Sequence, residues 1–209
     1  MTRPHRAQSN QTGPSRTAPA AAHRSLDLPA EPIEIAAGWL QLRPWEIGLA
    51  PRLAELVADP LERQWSPVPL RGDPLSQAQK KIGSAAERWR TRQQFSLAIQ
   101  EAASGDLLGE IQLNLINDTM GTALAGYSTL PHARGRGVAP TALGAICRWA
   151  FEAAGFHRIE LSHAVENAPS CRVAVKAGFA AEGIMRSYLP KPGGGWWDVE
   201  LHAAINPAD

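Results

Sequence analysis

PHARGRGVAP, residues 131–140, joins two segments with different hydrophobic periods. The segment before it, 121–130, alternates apolar and polar residues as a β-strand does, and the segment after it, 141–154, has the spacing of an amphipathic helix. The stretch is therefore predicted to be the end of a strand, a glycine-rich turn and the first turn of a helix. Because the first amides of a helix have no acceptor inside that helix, such a turn can bind an anion.

The side chains of this turn favour a phosphate as the anion. Gly135 and Gly137 remove side chains that would keep a phosphate from the backbone, and Arg134 and Arg136 supply forked, positively charged donors. The spacing is neither G-x-G-x-x-G nor G-x-x-x-x-G-K-[ST], which excludes the dinucleotide fingerprint and the P-loop. A helix start in a solvated basic loop that binds nothing is the alternative interpretation.

Composition and charge limit the class of protein. The chain has 209 residues, of which 44% are hydrophobic and 20% charged, and its formal net charge is +1. These values are typical of one globular domain with a tail, and the charge argues against a dedicated nucleic-acid-binding protein. No apolar run reaches the ~20 residues of a membrane helix, so a cytoplasmic location is expected. Cys147 and Cys171 match no metal motif and are predicted to be reduced core thiols, with no metal site.

The first residues of the chain differ in composition from the rest. Residues 1–29 are rich in Pro, Ser, Thr, Ala and Arg and contain almost no large apolar side chain. Such a segment cannot bury enough apolar surface to offset the entropy lost on ordering. We predict a disordered tail over 1–29 and one folded domain over 30–209.

Hydrophobic periodicity over the rest of the chain predicts an α+β domain. A first strand at 39–44 precedes two helices, the first ending at Pro60 and the second covering 75–92, with a loop at 63–74 between them. Three strands joined by short turns then form an antiparallel meander, and the strand–helix–strand order after it implies one parallel pair. The remaining predicted elements are a strand at 159–165, a helix at 167–178 capped by Asn167, and a C-terminal hairpin at 180–205.

Two motifs connect these elements to a known superfamily. Residues 134–139 fit the pattern Gln/Arg-x-x-Gly-x-Gly/Ala, and residues 167–183 contain Asn-x-x-Ser followed by Lys-x-Gly-Phe-x-x-Glu-Gly. The first motif resembles the acyl-CoA diphosphate loop of the GCN5-related N-acetyltransferase (GNAT) superfamily. The second is similar to the signature of its RimJ/RimL-like branch, whose members acetylate ribosomal-protein N-termini. The element order also resembles the GNAT fold, a three-layer α/β/α arrangement with a mostly antiparallel sheet and a splayed parallel strand pair.

The resemblance implies acetyl-CoA as co-substrate, bound in a slot between the splayed strands. It places the diphosphate on the glycine-rich turn and the pantetheine arm along the strand before it. Asn167 and Ser170 would face the arm or the thiol, although an ordinary helix cap also explains Asn167. The residues implied to bind the cofactor are Tyr127, Ser128, Thr129, Arg134, Gly135, Arg136, Gly137, Val138, Ala139, Asn167 and Ser170.

The implied reaction is direct attack of an amine on the thioester, which requires a base, oxyanion donors and an acid for the thiolate. Many members of the superfamily have a tyrosine at the position that Ala174 occupies here. The resemblance to the RimJ/RimL-like branch instead implies Ser170, one helical turn earlier, as the acid, with a local cap bond as its alternative role. Glu110, on a meander strand, is the candidate base, with an exposed strand glutamate as the alternative. Backbone amides near Leu130 are expected to bind the oxyanion.

Other polar residues have less defined roles. Tyr188 could border the acceptor pocket, and Asp198 and Glu200 could bind a cationic acceptor or only face solvent. His163 alternates with apolar residues on its strand, so a buried core histidine is the predicted role rather than a catalyst.

The resemblance implies an N-acetyltransferase that modifies a protein N-terminal amine or a small-molecule amine. Transfer of a larger acyl group such as succinyl is one alternative, and a non-catalytic acyl-CoA-binding regulator is another. No membrane partner is expected, and a homodimer is left open.

Overall fold

The computed structural model describes residues 25–66 and 72–209. These residues form one eight-stranded sheet in the order β1-β2-β3-β4-β5-β6-β8-β7. Neighbouring strands are antiparallel except for β5 and β6, which are parallel. The strands are β1 (Ile35–Ala37), β2 (Leu40–Arg43), β3 (Gln94–Glu101), β4 (Leu107–Asn117), β5 (Thr122–Thr129), β6 (Arg158–Ala164), β7 (Ala180–Pro190) and β8 (Trp196–Ile205).

Helices flank this sheet and close its core. The helix after the glycine-rich turn, α4, buries an apolar stripe that includes Leu143, Ile146 and Ala150, and this stripe packs against the sheet. None of the described helices is both long and apolar enough to cross a membrane. The helices are α1 (Ala50–Ala58), α2 (Pro60–Trp65), α3 (Pro74–Arg90), α4 (Val138–Glu152) and α5 (Ala168–Lys176).

The predicted sequence of elements is confirmed, with one correction that affects the site. The preceding helix ends at Ala58, as predicted, but Pro60 also begins a further helix, α2, that the sequence did not indicate. The Asp59 carboxylate accepts a hydrogen bond from the Glu62 amide at 3.1 Å, and Pro60 occupies the first helical position, where its missing N–H costs nothing. The predicted loop at 63–74 therefore overlaps α2, and its residues 67–71 lie outside the described residues.

The start of the described chain packs against the domain. Leu26 is 7% exposed and belongs to the main core, and the Pro29 carbonyl accepts a hydrogen bond from Trp89 Nε1 at 3.0 Å. The predicted disordered tail is therefore wrong for residues 25–29, because one leucine and a few backbone groups suffice to fix them. Residues 1–24 lie outside the described residues.

We expect Leu26→Ala to lower the free energy of unfolding by about 2 kcal/mol, because it removes buried apolar surface and leaves a cavity. Urea denaturation measures this change. Leu75→Ala is the matched control, since Leu75 is 40% exposed and its truncation removes little buried surface. An unfolding midpoint that is the same for wild type and Leu26→Ala would show that residues 25–29 do not pack in solution.

The parallel pair β5–β6 is splayed. Only the first part of β5, Thr122–Ala125, pairs with β6, and its partners there are Arg158–Leu161. Beyond this point β5 continues to Thr129 against β4, and β6 continues to Ala164 against β8. Two strand edges therefore face each other across a gap without hydrogen bonding to one another, and such edges can pair with an extended ligand.

Candidate active site

The gap between β5 and β6 opens into a cleft of about 780 Å³. The ends of these two strands, the first turns of α4 and α5, helix α2 and strand β8 surround it. All predicted site residues except Arg136 contribute to its lining. They are Glu110, Tyr127, Ser128, Thr129, Arg134, Gly135, Gly137, Val138, Ala139, Asn167 and Ser170.

The glycine-rich turn forms one end of the cleft. Gly135 and Gly137 have φ of +75° and +80°, a region that favours glycine, and a side chain at either position would meet no atom within 4 Å. Gly137 caps α4 in the left-handed conformation. Within the described chain, the amides of residues 135–139 make no hydrogen bond. These free donors and the open space above the glycines fit a phosphate, as the turn predicts.

Arg134 spans the cleft wall between β5 and α2. Its Nε donates to the Thr129 carbonyl at 3.1 Å, and its guanidinium forms an ion pair with Asp59. Desolvation raises the pKa of Asp59, but the hydrogen bonds from Arg134 and from the Glu62 amide outweigh this effect, so the pKa lies below its usual value. Arg134 is thus already oriented beside the turn before any ligand binds.

Arg136 is placed differently from its predicted role. Its guanidinium donates to Glu101 Oε1 at 2.8 Å and lies over the Trp39 ring at 5.0 Å from the centroid. Since Arg136 is absent from the lining of the cleft, the structure brings only one of the two predicted arginines into the site.

Glu62 is a site residue that the sequence did not reveal, because the predicted helix ended at Pro60. It lies on α2, its side chain is 31% exposed, and its Oε2 accepts a hydrogen bond from Ser128 Oγ at 2.7 Å. Desolvation raises the pKa of Glu62, although Ser128 and Arg134 oppose the change. A carboxylate with a raised pKa that faces a cleft is a candidate base.

Glu110 also lines the cleft but has a partner. It lies directly opposite Ser128 in the β4–β5 register, is 7% exposed and forms an ion pair with Lys81. The alternative of an exposed strand glutamate is therefore wrong. Glu110 raises the pKa of Glu62 further through charge repulsion.

A hydroxyl pair bridges β5 and α5. Tyr127 Oη lies 2.9 Å from Ser170 Oγ, and desolvation raises the pKa of Tyr127 to about 12. The predicted helix cap at Asn167 is confirmed, because its Oδ1 accepts from the Ser170 amide at 3.3 Å. The expected oxyanion donor is wrong at Leu130, whose amide donates to the Leu108 carbonyl at 2.9 Å.

Comparison with known proteins agrees with this geometry. The acetyltransferase (GNAT) domain family matches residues 40–180. The chain belongs to this family. It is 33% identical over 131 residues to the probable N-acetyltransferase YjcK of Bacillus subtilis (strain 168), an alignment that covers 62% of this chain and 72% of YjcK.

Solved structures share the fold of this GNAT protein. RimJ from Mycobacterium smegmatis, in complex with CoA-disulfide, superposes with a TM-score of 0.76 and 24% identity, covering 85% of this chain and 90% of that chain. The ribosomal-protein-S5-alanine acetyltransferase from Vibrio fischeri gives a TM-score of 0.74 and 21% identity, covering 84% and 97%. The predicted GNAT fold is thereby confirmed, and the protein is an acetyl-CoA-dependent N-acetyltransferase.

Apolar side chains also line part of the cleft. The Trp65 and Trp197 rings lie 5.7 Å apart, and Leu61 and Leu189 also line this part. Tyr188, predicted to border the acceptor pocket, is 55% exposed and is not among the lining residues.

Two further polar candidates differ in exposure, since Asp198 faces solvent and His163 is buried. Asp198 is exposed, and its Oδ1 accepts a hydrogen bond from the Ser187 amide at 2.8 Å. His163 is 5% exposed, which confirms a buried histidine, and it also borders the cleft.

Proposed function

We propose that this GNAT enzyme transfers the acetyl group of acetyl-CoA to a protein N-terminal α-amine. The observation that carries the proposal is the Glu62 carboxylate in the cleft, whose cationic neighbour Arg134 lies 3.8 Å away and pairs more closely with Asp59. Among the described lining residues the carboxylates are those of Glu62 and Glu110, and Lys81 pairs with Glu110. One such carboxylate suits one amine, whereas a polyamine would need several.

The α-amine also fits the acid–base chemistry. An α-amino group has a pKa near ~8, so a large fraction is neutral at pH 7–8, whereas lysine near ~10.4 is almost fully protonated. The Glu62 carboxylate, whose pKa is raised, would accept the proton that the attacking amine loses, and Ser128 would hold the carboxylate in place. Glu110 is the alternative base.

The residues of the turn and the splayed strands would hold acetyl-CoA, which supplies an acetyl thioester. The free amides of residues 135–139 and the Arg134 guanidinium suit its diphosphate. The open edge of β5 near Tyr127, Ser128 and Thr129 suits the amide groups of its pantetheine arm.

The hydroxyl pair of Tyr127 and Ser170 would supply the proton for the departing thiolate. We expect Tyr127→Phe to lower kcat by about 10²-fold with little change in the KM for acetyl-CoA, because it removes a proton source and little binding surface. Tyr188→Phe is the control, since that tyrosine is exposed and outside the cleft lining. A kcat for Tyr127→Phe equal to wild type would remove this residue from the proposed chemistry.

A panel of acceptors tests the proposed function. Release of free CoA thiol is measured with peptides that carry a free α-amine, with the same peptides N-terminally blocked but containing lysine, and with spermidine. We expect turnover only with the free α-amine, and faster turnover with acetyl-CoA than with succinyl-CoA. Turnover with spermidine but not with any peptide would overturn the proposal.

A further inference from the structure

Four metal-ligating side chains converge beside the cleft. They are His163 on β6, Cys171 on α5, and Glu200 and His202 on β8, here called the His–Cys–Glu cluster. One ligand atom from each lies within 4.8 Å of every other. The β6–β8 register explains the meeting of three of them, since His163 lies directly opposite Glu200 and alternate residues on a strand share a face.

The distances among the nitrogen and oxygen atoms of the cluster fit one coordination sphere, and Cys171 Sγ lies within 4.8 Å of each of them. The Nε2 atoms of His163 and His202 lie 3.1 Å apart, and Glu200 Oε2 lies 3.6 Å from the first and 3.4 Å from the second. Zinc bonds to nitrogen and oxygen are about 2.0–2.1 Å long, and tetrahedral geometry then separates two ligand atoms by about 3.3 Å. The three observed separations, 3.1, 3.4 and 3.6 Å, lie close to this ligand–ligand distance.

The orientation of the histidine rings favours metal binding as well. His163 Nδ1 lies 2.9 Å from the Ala164 carbonyl, so Nδ1 carries the hydrogen and Nε2 presents a lone pair to the cluster. His202 is 1% exposed, and its Nδ1 has no hydrogen-bond partner in the described chain. The tautomer in which His202 Nε2 also presents a lone pair therefore leaves its Nδ1–H buried without an acceptor among the described residues, a cost that the metal bond would have to offset.

The charges of the ligands match a divalent cation. A thiolate at Cys171 and the Glu200 carboxylate carry two negative charges, and the histidines bind as neutral rings, so the bound ion is neutralised where both rings are buried. Nitrogen and sulfur ligands select a transition metal over Mg²⁺ or Ca²⁺. Two histidines, one cysteine and one carboxylate make four protein ligands, the number of a closed structural zinc site.

We propose that the His–Cys–Glu cluster binds one zinc-type divalent transition-metal ion. The ion would tie the first half of α5 to β6 and β8. Cys171 follows the proposed hydroxyl donor Ser170, and His163 borders the cleft, so the ion would fix the wall that carries this donor. The proposal is independent of the acceptor amine, since metal binding is measured without acetyl-CoA or amine.

The test uses the full chain without a polyhistidine tag, stripped with a chelator and titrated with Co²⁺. We expect one Co²⁺ per chain, with the visible bands of tetrahedral cobalt and a thiolate-to-cobalt charge-transfer band, and loss of both on addition of Zn²⁺. Zn²⁺ alone should raise the melting temperature. Absence of Co²⁺ binding, or binding with octahedral bands only, would overturn the proposal.

Matched cysteine variants assign the bands to the cluster. Cys171→Ser removes one ligand from a half-buried position and should abolish the charge-transfer band and weaken Zn²⁺ binding at least 10-fold, in line with the loss expected for a disturbed metal site. Cys147→Ser, in α4 and outside the cluster, should keep the charge-transfer band and the affinity for Zn²⁺. His202→Gln gives a second loss of affinity, and circular dichroism verifies that each variant is folded. A charge-transfer band that survives Cys171→Ser would refute the assignment.

Discussion

Glu62→Gln should lower kcat/KM for the α-amine acceptor by about 10²-fold or more, the range attributed to a general base. Glutamine keeps the size of the side chain and a hydrogen bond with Ser128 Oγ but cannot accept a proton. The KM for acetyl-CoA should change little, because Glu62 hydrogen-bonds to Ser128 at 2.7 Å and lies 3.8 Å from Arg134, whose closer partner is Asp59. Steady-state kinetics with a free α-amine peptide measures both constants.

The pH dependence separates a base from a merely structural carboxylate. The carboxylate is the active form, so kcat/KM of the wild type should fall as the pH drops through the raised pKa of Glu62, and this limb should disappear in Glu62→Gln. The contribution of Glu62 to the free energy of unfolding depends on pH in the opposite direction from its contribution to kcat/KM. A carboxyl whose folded pKa is raised contributes stability below its unfolded pKa and loses that contribution as the pH rises through the folded pKa. Glu62→Gln should therefore not lower the melting temperature at pH 7.

Two further glutamates serve as comparisons for Glu62→Gln. Glu55→Gln, at an exposed ion pair with Arg52, should leave kcat/KM and stability nearly unchanged. Glu110→Gln should lower the melting temperature, because it leaves the half-buried Lys81 without the carboxylate with which it pairs. If Glu110→Gln alone abolishes the acidic limb while Glu62→Gln retains it, Glu110 is the base and the assignment of Glu62 is wrong.

The fold could be predicted from sequence because its signals are local and repeated. The apolar–polar alternation before residue 131 corresponds to β5, and the helical spacing after residue 141 corresponds to α4. Asn167 caps the helix α5, as its position in the sequence indicates. The short helix α2 could not be predicted in the same way, since a proline can either end a helix or begin one. Here Pro60 both follows the end of α1 and begins α2, whose first turn is capped by the hydrogen bond from the Glu62 amide to Asp59.

The glycine-rich turn is more predictable from sequence than the proposed catalytic groups. A glycine-rich turn is continuous in sequence, so its residues lie together wherever the chain folds. Glu62 and Ser128 are far apart in sequence and meet only because α2 packs beside the end of β5. Likewise, Arg134 and Arg136 are only two residues apart in the sequence, but their side chains lie in different places. Arg136 contacts Glu101 and Trp39 and therefore lies outside the cleft.

Arg134→Glu should raise the Kd for acetyl-CoA by about 10²-fold or more, because losing a charged hydrogen bond costs roughly 1.5–3 kcal/mol and the new carboxylate repels the diphosphate. Isothermal titration calorimetry measures the change. Arg92→Glu is the matched control, since Arg92 pairs with Asp118 on the surface and is absent from the cleft lining. Arg136→Glu should have a much smaller effect than Arg134→Glu, in keeping with the position of Arg136 outside the cleft.

Asp59→Asn separates the proposed contact of Arg134 with the diphosphate from the ion pair between Arg134 and Asp59. Since the pKa of Asp59 is lowered in the folded chain, the pair contributes stability above the unfolded pKa that is lost as the pH falls through the folded value. Both Arg134→Glu and Asp59→Asn remove this contribution at pH 7, but asparagine retains the helix cap and keeps the guanidinium, with its hydrogen bond to the Thr129 carbonyl. Binding of acetyl-CoA should therefore be preserved or tightened in Asp59→Asn. Equal weakening in both variants would mean that the ion pair with α2, and not a contact with the diphosphate, determines affinity.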